Sequence, residues 1–584
     1  MTQKFQLRDG MRAAFDIAVP MDDGATMFAD LYLPEAEGRY PVLLSYGPYA
    51  KGLHFADGYG SAWDIMIRNK PEVLEGTSSL YQSWELVDPE KWVPDGYAVL
   101  RVDSRGAGAS PGFLDVWSER ETRDLYDCIE WAGVQDWSNG KVGLAGISYY
   151  AVNQWQVASL QPPHLAALAI WEGFSDFYRD CVRHGGIMST FLANWYDMQV
   201  KTVQHGYGER GHRSRVTGAL VCGDDTLSDE ELARNRADLA REMRARRFVD
   251  DFYRVRTGQF EKIETPLLSS GNWGGNGLHL RGNIEGFLRS ASTQKWLEMH
   301  GNTHWIEFYA DYGIELQKRF FGHFLKGEDT GWDRQPRVLL QVRRPGERFT
   351  PRAENEWPLA RTQWTKLFLD LETRALVPDM PAGAATASFD ALGDGLEFLS
   401  EPLAEETEIT GPLAARLHVS SSTADADLFL VLKVLDPDGE EVTFYGALDP
   451  HTPIAQGWLR ASHRKLDPAL STFWRPYHTH DEALPLAPGE IVALDIEVWP
   501  TCIVAPKGSR LALEVRGKDY VHDGPSGGKL SYMKNAFTGC GPFLHDDPAD
   551  RDPAVYGGVT TLHAGAGRDN FLLVPIVPAR ADRD

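Results

Sequence analysis

Short apolar runs alternate with an amphipathic segment over the first third of the chain. Runs of strand character lie at residues 27–34, 41–47, 97–106, 141–146 and 165–173, and residues 119–135 have helical spacing between two of them. Each run ends in turn residues. This alternation predicts an α/β domain with a mostly parallel sheet and helices on both faces.

The pattern changes between residues 175 and 255. Residues 229–256 are polar with helical spacing and have no strand-like neighbours, which predicts a helical insertion over the sheet. Strand-like runs return at 265–275 and 295–301. A helix-like run at 313–327 follows them and would close the first domain.

Beyond about residue 335 the helical period disappears. Period-2 or fully apolar runs are separated by Pro, Gly and Asp turns, including Asp-Pro-Asp-Gly at 436–439. This pattern predicts an all-β domain built as a two-sheet sandwich. The predicted division is therefore a sheet domain at 1–174 and 256–334, a helical cap at 175–255 and a β-domain at 335–584.

Composition narrows the class of protein. A chain of 584 residues is too long for a single hydrophobic core, so two or three domains are expected. No apolar run approaches the roughly 20 residues that a membrane span needs. The N-terminal stretch lacks the apolar segment of a secretory signal, so we expect a soluble, cytoplasmic protein without membrane partners. A net charge of −24 and the lack of a basic run argue against nucleic acid as a partner. Five scattered cysteines favour reduced thiols over disulfides or a zinc site.

The segment Gly146-Ile147-Ser148-Tyr149-Tyr150-Ala151 joins a strand-like run to a helix-like one. A nucleophilic serine needs this context, because a sharp strand-to-helix turn exposes its hydroxyl at the carboxyl edge of a sheet. The usual G-x-S-x-G pattern has glycine where Tyr150 stands. Ala151 supplies the small residue one place later, so Ser148 is the candidate nucleophile.

The motif resembles the G-x-S-Y-x-G elbow of the superfamily of cocaine esterase, α-amino-acid ester hydrolase and X-prolyl dipeptidyl-peptidase. Further resembling segments occur in that family's order at 47–52, 103–112, 265–273, 301–305 and 485–490. The resemblance implies an α/β-hydrolase domain with a helical cap and a C-terminal jelly-roll (galactose-binding-like) domain. It also implies acyl transfer to water through a covalent serine ester.

A serine hydroxyl needs a positioned imidazole to take its proton near neutral pH. His304 is the best of the 17 histidines, because it follows the last strand of the predicted sheet domain. His300 is the local competitor, but it lies within a strand, where packing is the expected role. The predicted base is therefore His304.

The tetrahedral oxyanion needs hydrogen-bond donors that are already in place. The backbone N–H of Tyr149, directly after the nucleophile, is one. The early loop that often supplies the second contains Pro48, which has no N–H, so a phenol is a natural replacement. The resemblance implies Tyr49, with Tyr46 as the alternative.

The acid of the triad is where this chain departs from the family. The resembling proteins place a carboxylate after the strand equivalent to 265–270, but residues 271–277 here read GNWGGNG. Asn272 or Asn276 could orient the imidazole, yet replacing a triad acid by an amide can lose about 10⁴ in rate.

A relocated acid is the alternative. Glu172 ends the strand-like run that follows the nucleophile's strand, so it shares the carboxyl edge of the sheet with Ser148 and His304. Asp176 and Asp311 are lesser candidates. The predicted triad is Ser148, His304 and Glu172.

The predicted activity is that of a serine hydrolase (carboxylesterase or amidase type) that cleaves a small ester or amide substrate without a cofactor or metal. An aromatic acyl pocket is one interpretation of Phe174, Trp195, Tyr196, Trp273 and Trp305, and core packing is the other. The alternatives are an X-prolyl dipeptidyl-peptidase-like aminopeptidase and a catalytically impaired relative that binds a ligand. The sequence does not decide whether the protein is a monomer or a homo-oligomer.

Overall fold

The computed structural model describes residues 5–579, so the outer ends of the predicted domains, at residues 1 and 584, lie outside the described residues. Two large sheets organise the chain. The strands of the first sheet and of a separate two-stranded hairpin (β8 and β9) are β1 Gln6–Arg8, β2 Met11–Pro20, β3 Thr26–Pro34, β4 Tyr40–Gly47, β5 Ala98–Asp103, β6 Ser138–Ile147, β7 Leu165–Trp171, β8 Arg183–His184, β9 Ile187–Met188, β10 Leu267–Asn272, β11 Lys295–His300, β12 Val338–Arg344 and β13 Arg348–Glu354.

The first sheet has the order β1-β2-β3-β5-β4-β6-β7-β10-β11-β12-β13, while β8 and β9 pair only with each other. Its central strands run parallel from β5 through β12. Their apolar runs are buried because helices cover both faces. The carboxyl ends of β6, β7, β10 and β11 therefore meet along one edge, where the predicted site residues lie.

The α-helices are mostly short. They are α1 Phe55–Gly58, α2 Gly60–Asn69, α3 Pro89–Trp92, α4 Glu119–Gly133, α5 Tyr149–Ala158, α6 Phe191–Trp195, α7 Asp229–Arg234, α8 Leu239–Ala245, α9 Asp251–Arg254, α10 Leu280–Arg289, α11 Ile306–Tyr309, α12 Asp311–Phe321 and α13 Pro553–Tyr556. Short 3-10 turns lie at 71–74, 93–95, 201–203, 208–210, 260–262, 332–334 and 461–463, and π turns at 177–182, 196–200 and 322–326. Within residues 5–579, no helix is both long and apolar enough to cross a membrane.

The insertion at 175–255 lies between β7 and β10 and contains the β8–β9 hairpin as well as helices. The helical pattern at 229–256 forms three helices, α7 to α9, rather than one. Asp238 and Asp250 explain the breaks, since each side chain accepts a backbone N–H at the start of the next helix. The cap is thus less regular than the sequence predicts.

The boundary predicted at residue 335 differs from the observed pairing. β12 lies parallel to β11, with Leu297 opposite Val338, and β13 then pairs antiparallel with β12. Both strands extend the first sheet. An apolar period-2 run has the same pattern in either sheet, so the sequence does not distinguish the two memberships.

The remaining strands build a β-domain. They are β14 Gln363–Asp370, β15 Ala375–Val377, β16 Ala385–Asp390, β17 Leu396–Ser400, β18 Thr407–Ser421, β19 Asp427–Leu435, β20 Ala455–Arg460, β21 Val492–Ala505, β22 Arg510–Arg516, β23 Val559–Ala564 and β24 Phe571–Ile576. Pairing runs from β18 through β21, β20, β19, β22, β17, β15, β14 and β24 back to β18. This closed barrel differs from the two separate sheets predicted, because closure pairs strand edges that a sandwich leaves open.

The β-domain packs against the sheet domain beside the shared carboxyl edge. Arg281 of α10 donates to Glu497 of β21 at 2.9 Å, and the Ala447 carbonyl accepts the His304 N–H at 2.8 Å. Apolar side chains of both units form one buried cluster that includes Trp273 and Trp458. The loop around Ala447 is thereby held over the site. All five cysteines are buried free thiols.

Candidate active site

Ser148 occupies a sharp turn between β6 and α5. Its backbone has φ 56° and ψ −111°, a left-handed conformation uncommon for a residue with a side chain. Its N–H donates to the carbonyls of Trp171 and Glu172, both at 3.1 Å, which ties the turn to the end of β7. Strain of this kind, held by neighbouring hydrogen bonds, is typical of a nucleophile elbow.

The elbow requires small residues at two close approaches. A Cβ at Gly146 would lie 2.4 Å from the Cβ of Tyr150, and Gly146 has φ +147°. A Cβ at Gly173 would lie 2.7 Å from the Cβ of Ala151. The small residue at 151 therefore faces the chain after β7, where a larger side chain would collide.

Two donors lie beside Ser148 as the sequence predicts. Tyr149 is the first residue of α5, so its N–H has no acceptor within the helix. The Tyr49 hydroxyl lines the same pocket and accepts the indole N–H of Trp195 at 2.9 Å. That bond occupies a lone pair and leaves the phenol proton free to donate. Tyr46, the alternative donor, does not line this pocket; its hydroxyl accepts the backbone N–H of Arg105.

The Tyr49 phenol stays protonated over the useful pH range. Burial and the nearby charge of Glu85 raise its pKa well above the usual value of 10. Only a protonated phenol can donate a hydrogen bond to an oxyanion.

The carboxylate of Glu172 contacts the predicted base. Its Oε2 lies 2.8 Å from Nδ1 of His304, and both side chains are buried. A carboxylate accepts hydrogen bonds, so the contact places a proton on Nδ1, and when the ring is neutral Nε2 is the basic nitrogen. The structure thus brings together the two residues predicted as base and acid.

Two further groups donate to the other oxygen of Glu172. Nε2 of His300 lies 3.1 Å from Oε1, and Nδ2 of Asn272 lies 3.3 Å from it. Burial alone raises the pKa of Glu172, but the charges and hydrogen bonds of His304 and His300 outweigh it and hold the pKa at about 2. Glu172 is therefore ionised at neutral pH.

His300 does more than pack, contrary to its predicted role. Its Nδ1 also contacts Glu298 at 2.8 Å, so each ring nitrogen faces a carboxylate. Burial lowers the pKa of His300, yet Glu298 and Glu172 raise it to about 10. A charged His300 supports the ionised form of Glu172 and orients it toward His304.

The other nitrogen of His304 faces a residue that the sequence analysis missed. Nε2 lies 2.9 Å from Oε1 of Glu85, which is 2% exposed. Burial lowers the pKa of His304, but Glu172 and Glu85 together raise it to about 9. Glu85 precedes α3 in an irregular loop and follows no predicted strand, so no sequence pattern marked it.

The histidine at hydrogen-bond distance from the serine hydroxyl is His279. Oγ of Ser148 lies 3.2 Å from Nε2 of His279, whereas the sequence predicts His304 as its partner. Nδ1 of His279 accepts the N–H of Phe174 at 3.0 Å. The neutral ring therefore carries its proton on Nε2 and donates it to Oγ.

This tautomer decides what His279 can do. A nitrogen that already carries a proton cannot take another from the serine. Burial and the nearby charge of His304 hold the pKa of His279 well below 6.5, so the ring stays neutral. His279 also was missed, although it lies two residues after the glycine-rich segment 271–277, which was itself a signal.

The alternatives to Glu172 do not contact His304. Asp176 pairs with Arg179 at 2.8 Å, and Asp311 is exposed at the start of α12. Asn276 is buried, and neither polar atom of its side chain has a hydrogen-bond partner among the described residues. Both ring nitrogens of His304 are occupied by Glu172 and Glu85.

The pocket in front of Ser148 is mostly apolar and aromatic. Trp195 and Phe174 line it, whereas Trp273 and Trp305 are fully buried and are not among its lining residues. Its lining residues are Tyr49, Trp84, Glu85, Trp117, Ser148, Phe174, Phe191, Leu192, Trp195, Gln199, Leu278, His279, His304, Ala447, Leu448, Tyr532, Met533 and Phe543. The last five belong to the β-domain, which therefore closes one side of the pocket.

No cluster of three or more His, Cys, Asp or Glu side chains within residues 5–579 has a metal-binding arrangement. The buried Glu and His side chains around Ser148 bind one another through hydrogen bonds instead.

Comparisons with known proteins find hydrolases over most of the chain. Residues 23–305 match the model of the X-Pro dipeptidyl-peptidase (S15) family, and residues 330–573 match that of the X-Pro dipeptidyl-peptidase C-terminal non-catalytic domain. The solved structure of a CocE/NonD family hydrolase from Staphylococcus aureus is 32% identical, with a TM-score of 0.82 over 97% of this chain and 94% of that chain.

One further relative and one structural neighbour span almost the whole chain. Cocaine esterase from Rhodococcus sp. is 25% identical, and the match covers 97% of this chain and 98% of that protein. An aminopeptidase from a marine sediment archaeon, Thaumarchaeota archaeon, is 15% identical, with a TM-score of 0.67 over 99% of each chain. The second likeness concerns the fold alone.

Proposed function

Because this chain belongs to the CocE/NonD family of hydrolases and is a serine hydrolase of ester or amide bonds, we propose that it acts as a carboxylesterase through Ser148, His304 and Glu172. Family membership confirms the resemblance stated from the elbow motif. The observation that carries the proposed triad is the 2.8 Å contact between Glu172 and Nδ1 of His304 beside the Ser148 pocket.

This contact also bears on the catalytically impaired alternative. That alternative rested on the missing carboxylate in residues 271–277. Glu172 reaches the base from the end of the neighbouring strand β7, so the imidazolium formed during catalysis has a buried anion beside it. A functioning triad is therefore the better-supported proposal.

Acylation follows from the positions of the protons. His279 donates to Oγ of Ser148, so the serine's own proton is directed elsewhere. We assign the acceptance of that proton to Nε2 of His304, once this nitrogen is unprotonated, as Oγ attacks the substrate carbonyl carbon. The carbonyl electron pair moves to oxygen, where the N–H of Tyr149 and the O–H of Tyr49 donate to it.

Collapse of this intermediate breaks the bond to the leaving group. His304 returns the proton to the departing oxygen or nitrogen, and the acyl group stays on Ser148. Water then attacks the acyl-enzyme with His304 again as base, which releases the acid and restores the serine. Glu172 stays ionised and stabilises imidazolium in both halves.

The proposal extends to fold class and setting. The parallel sheet with its elbow supports an α/β-hydrolase assignment for the first domain, with 175–255 as its cap. The jelly-roll assignment of the β-domain rests on the family resemblance. Five unpaired cysteines support a cytoplasmic location. The apolar lining favours a small substrate with an apolar acyl group, and neither nucleic acid nor a membrane is part of the proposal.

Labelling with a fluorophosphonate tests the proposed nucleophile. We expect stoichiometric modification of the wild-type protein, and peptide mapping should place the adduct on Ser148. When deacylation is slower than acylation, p-nitrophenyl acetate should give a burst of one equivalent of p-nitrophenol before the steady state. An adduct on another residue would exclude Ser148 as the nucleophile.

Replacing Glu172 with glutamine is expected to lower kcat by about 10⁴-fold with p-nitrophenyl esters. The amide keeps the shape of the side chain but cannot stabilise imidazolium as a carboxylate does. The measurement is steady-state hydrolysis, with thermal unfolding to show that the variant is folded.

Asn276→Ala is the matched control for this change. Asn276 lies in the segment where relatives place their acid, yet it contacts neither nitrogen of His304. We expect turnover close to that of the wild type. If Glu172→Gln keeps its activity while Asn276→Ala loses it, Glu172 is not the acid of the triad.

A further inference from the structure

Glu85 is hydrogen-bonded through its backbone to the nucleophile elbow. Its carbonyl accepts the N–H of Ile147 at 3.1 Å, and its backbone adopts φ 63°. The side chain lines the pocket, and its Oε2 is buried without a hydrogen-bond partner of normal geometry. A carboxylate in this position is costly, because burial opposes its charge.

The second oxygen of Glu85 contacts the nitrogen that matters for catalysis. Oε1 lies 2.9 Å from Nε2 of His304, while Nδ1 is already bonded to Glu172. With a carboxylate on each nitrogen, the ring is best satisfied as an imidazolium that donates both N–H groups. An imidazolium cannot accept the proton of Ser148.

We propose that Glu85 is a positioning residue that holds His304 protonated at Nε2 in the free enzyme, so that the base becomes available to Ser148 only when this proton leaves. The inference rests on the proposed function, since it assumes His304 as the base. Glu85 would thereby set the pH range over which the enzyme is active, since it sets the pH at which His304 loses its proton.

Few other groups around this pair titrate near neutral pH. His304 faces Glu172, Glu85 and the neutral His279. Burial raises the pKa of Glu85 to about 7 against the effect of His304, and the charge of Glu172 adds to the rise. The phenols that face Glu85 have pKa values above 10 and stay neutral: Tyr49, Tyr59, Tyr150, Tyr309 and Tyr532.

The proton balance gives the direction of the effect. The shared proton passes from Nε2 of His304 to solvent, which leaves a neutral ring and an ionised Glu85. The proton of Ser148 then moves to the lone pair on Nε2 while Oγ bonds to the substrate carbon. Activity should therefore rise with pH as His304 loses its proton.

The test compares the pH dependence of kcat/KM for wild type and Glu85→Gln with p-nitrophenyl acetate, between about pH 6 and pH 10. In the wild type, the acid limb should have its midpoint near the His304 pKa of about 9. Glutamine removes one negative charge, so the midpoint should fall by at least about one pH unit. For each pH unit by which the midpoint falls, the ratio of the rate at about pH 7 to the plateau rate should rise roughly tenfold.

Two controls keep the result interpretable. Glu307→Gln removes a carboxylate three residues from His304 that bonds Asn302 instead, so it should leave the midpoint unchanged. The rate of inactivation by a fluorophosphonate, measured over the same pH range, reports the base without a leaving group that titrates. If Glu85→Gln does not fold, Glu85→Ala takes its place.

The outcomes separate this inference from the proposed function. An acid limb that stays in place in the folded Glu85 variant overturns the role of Glu85 but leaves the triad intact. A loss of the plateau by about 10³-fold without a shift also overturns it, because a donor or ligand role would then be indicated. Loss of the pH dependence in His304→Ala supports the base independently of Glu85.

Discussion

Replacing Ser148 with alanine is expected to lower kcat for p-nitrophenyl acetate by about 10⁶-fold and to abolish labelling by a fluorophosphonate. The hydroxyl is the atom that bonds to the substrate, so no neighbouring group substitutes for it. Tyr49, the Tyr149 N–H and the pocket remain, and they should leave a residual rate about 10³-fold above that in water. Substrate affinity should change little, because alanine leaves the pocket intact.

Ser175→Ala is the control for this result. Ser175 is a buried serine near the start of the cap, and its hydroxyl has no hydrogen-bond partner among the described residues. We expect full labelling and near-normal turnover in this variant. Labelling that persists in Ser148→Ala would show that another residue is the reactive nucleophile.

Replacing His304 with alanine is expected to cost about as much as the loss of Ser148, on the order of 10⁶-fold in kcat. The double variant with Ser148→Ala should be no slower than either single variant, because the two side chains act as a unit. The acid limb of the pH profile should also vanish, since the group that titrates there is removed. Steady-state kinetics over the full pH range measure both effects.

His279→Ala separates the two histidines. His279 donates one hydrogen bond to Ser148 and stays neutral, so we expect a loss of only about 10²-fold, typical of one catalytic donor. The acid limb should remain, because His304 is still present. A larger loss in His279→Ala than in His304→Ala, together with loss of the acid limb, would assign the base to His279. It would also refute the tautomer in which His279 carries its proton on Nε2.

Much of the fold was predictable because it depends on local patterns. The apolar runs at 41–47, 97–106 and 141–146 became β4, β5 and β6, and the helical spacing at 119–135 became α4. Hydrophobic period and turn residues are short-range signals, which survive in almost any tertiary setting. The elbow at Ser148 belongs to this group, since one strand, one turn and one helix define it.

The less predictable features depend on pairing between distant segments. The sequence of β12 is compatible with either sheet, and only its parallel register with β11 assigns it to the first. Barrel closure similarly depends on β18 meeting β24, more than 150 residues later in the chain. Hydrophobic pattern specifies which face of a strand is buried, but not which edge it joins.

The site divides in the same way. The chain by itself was enough to predict Ser148 as the nucleophile, the Tyr149 donor and Glu172 as the acid, because strand ends of a parallel sheet share one edge and this follows from strand order. Tertiary structure alone brought Glu85 and His279 to the two reacting groups, His304 and Ser148. Both reach the site from loops, whose direction depends on packing across the whole domain rather than on any local period.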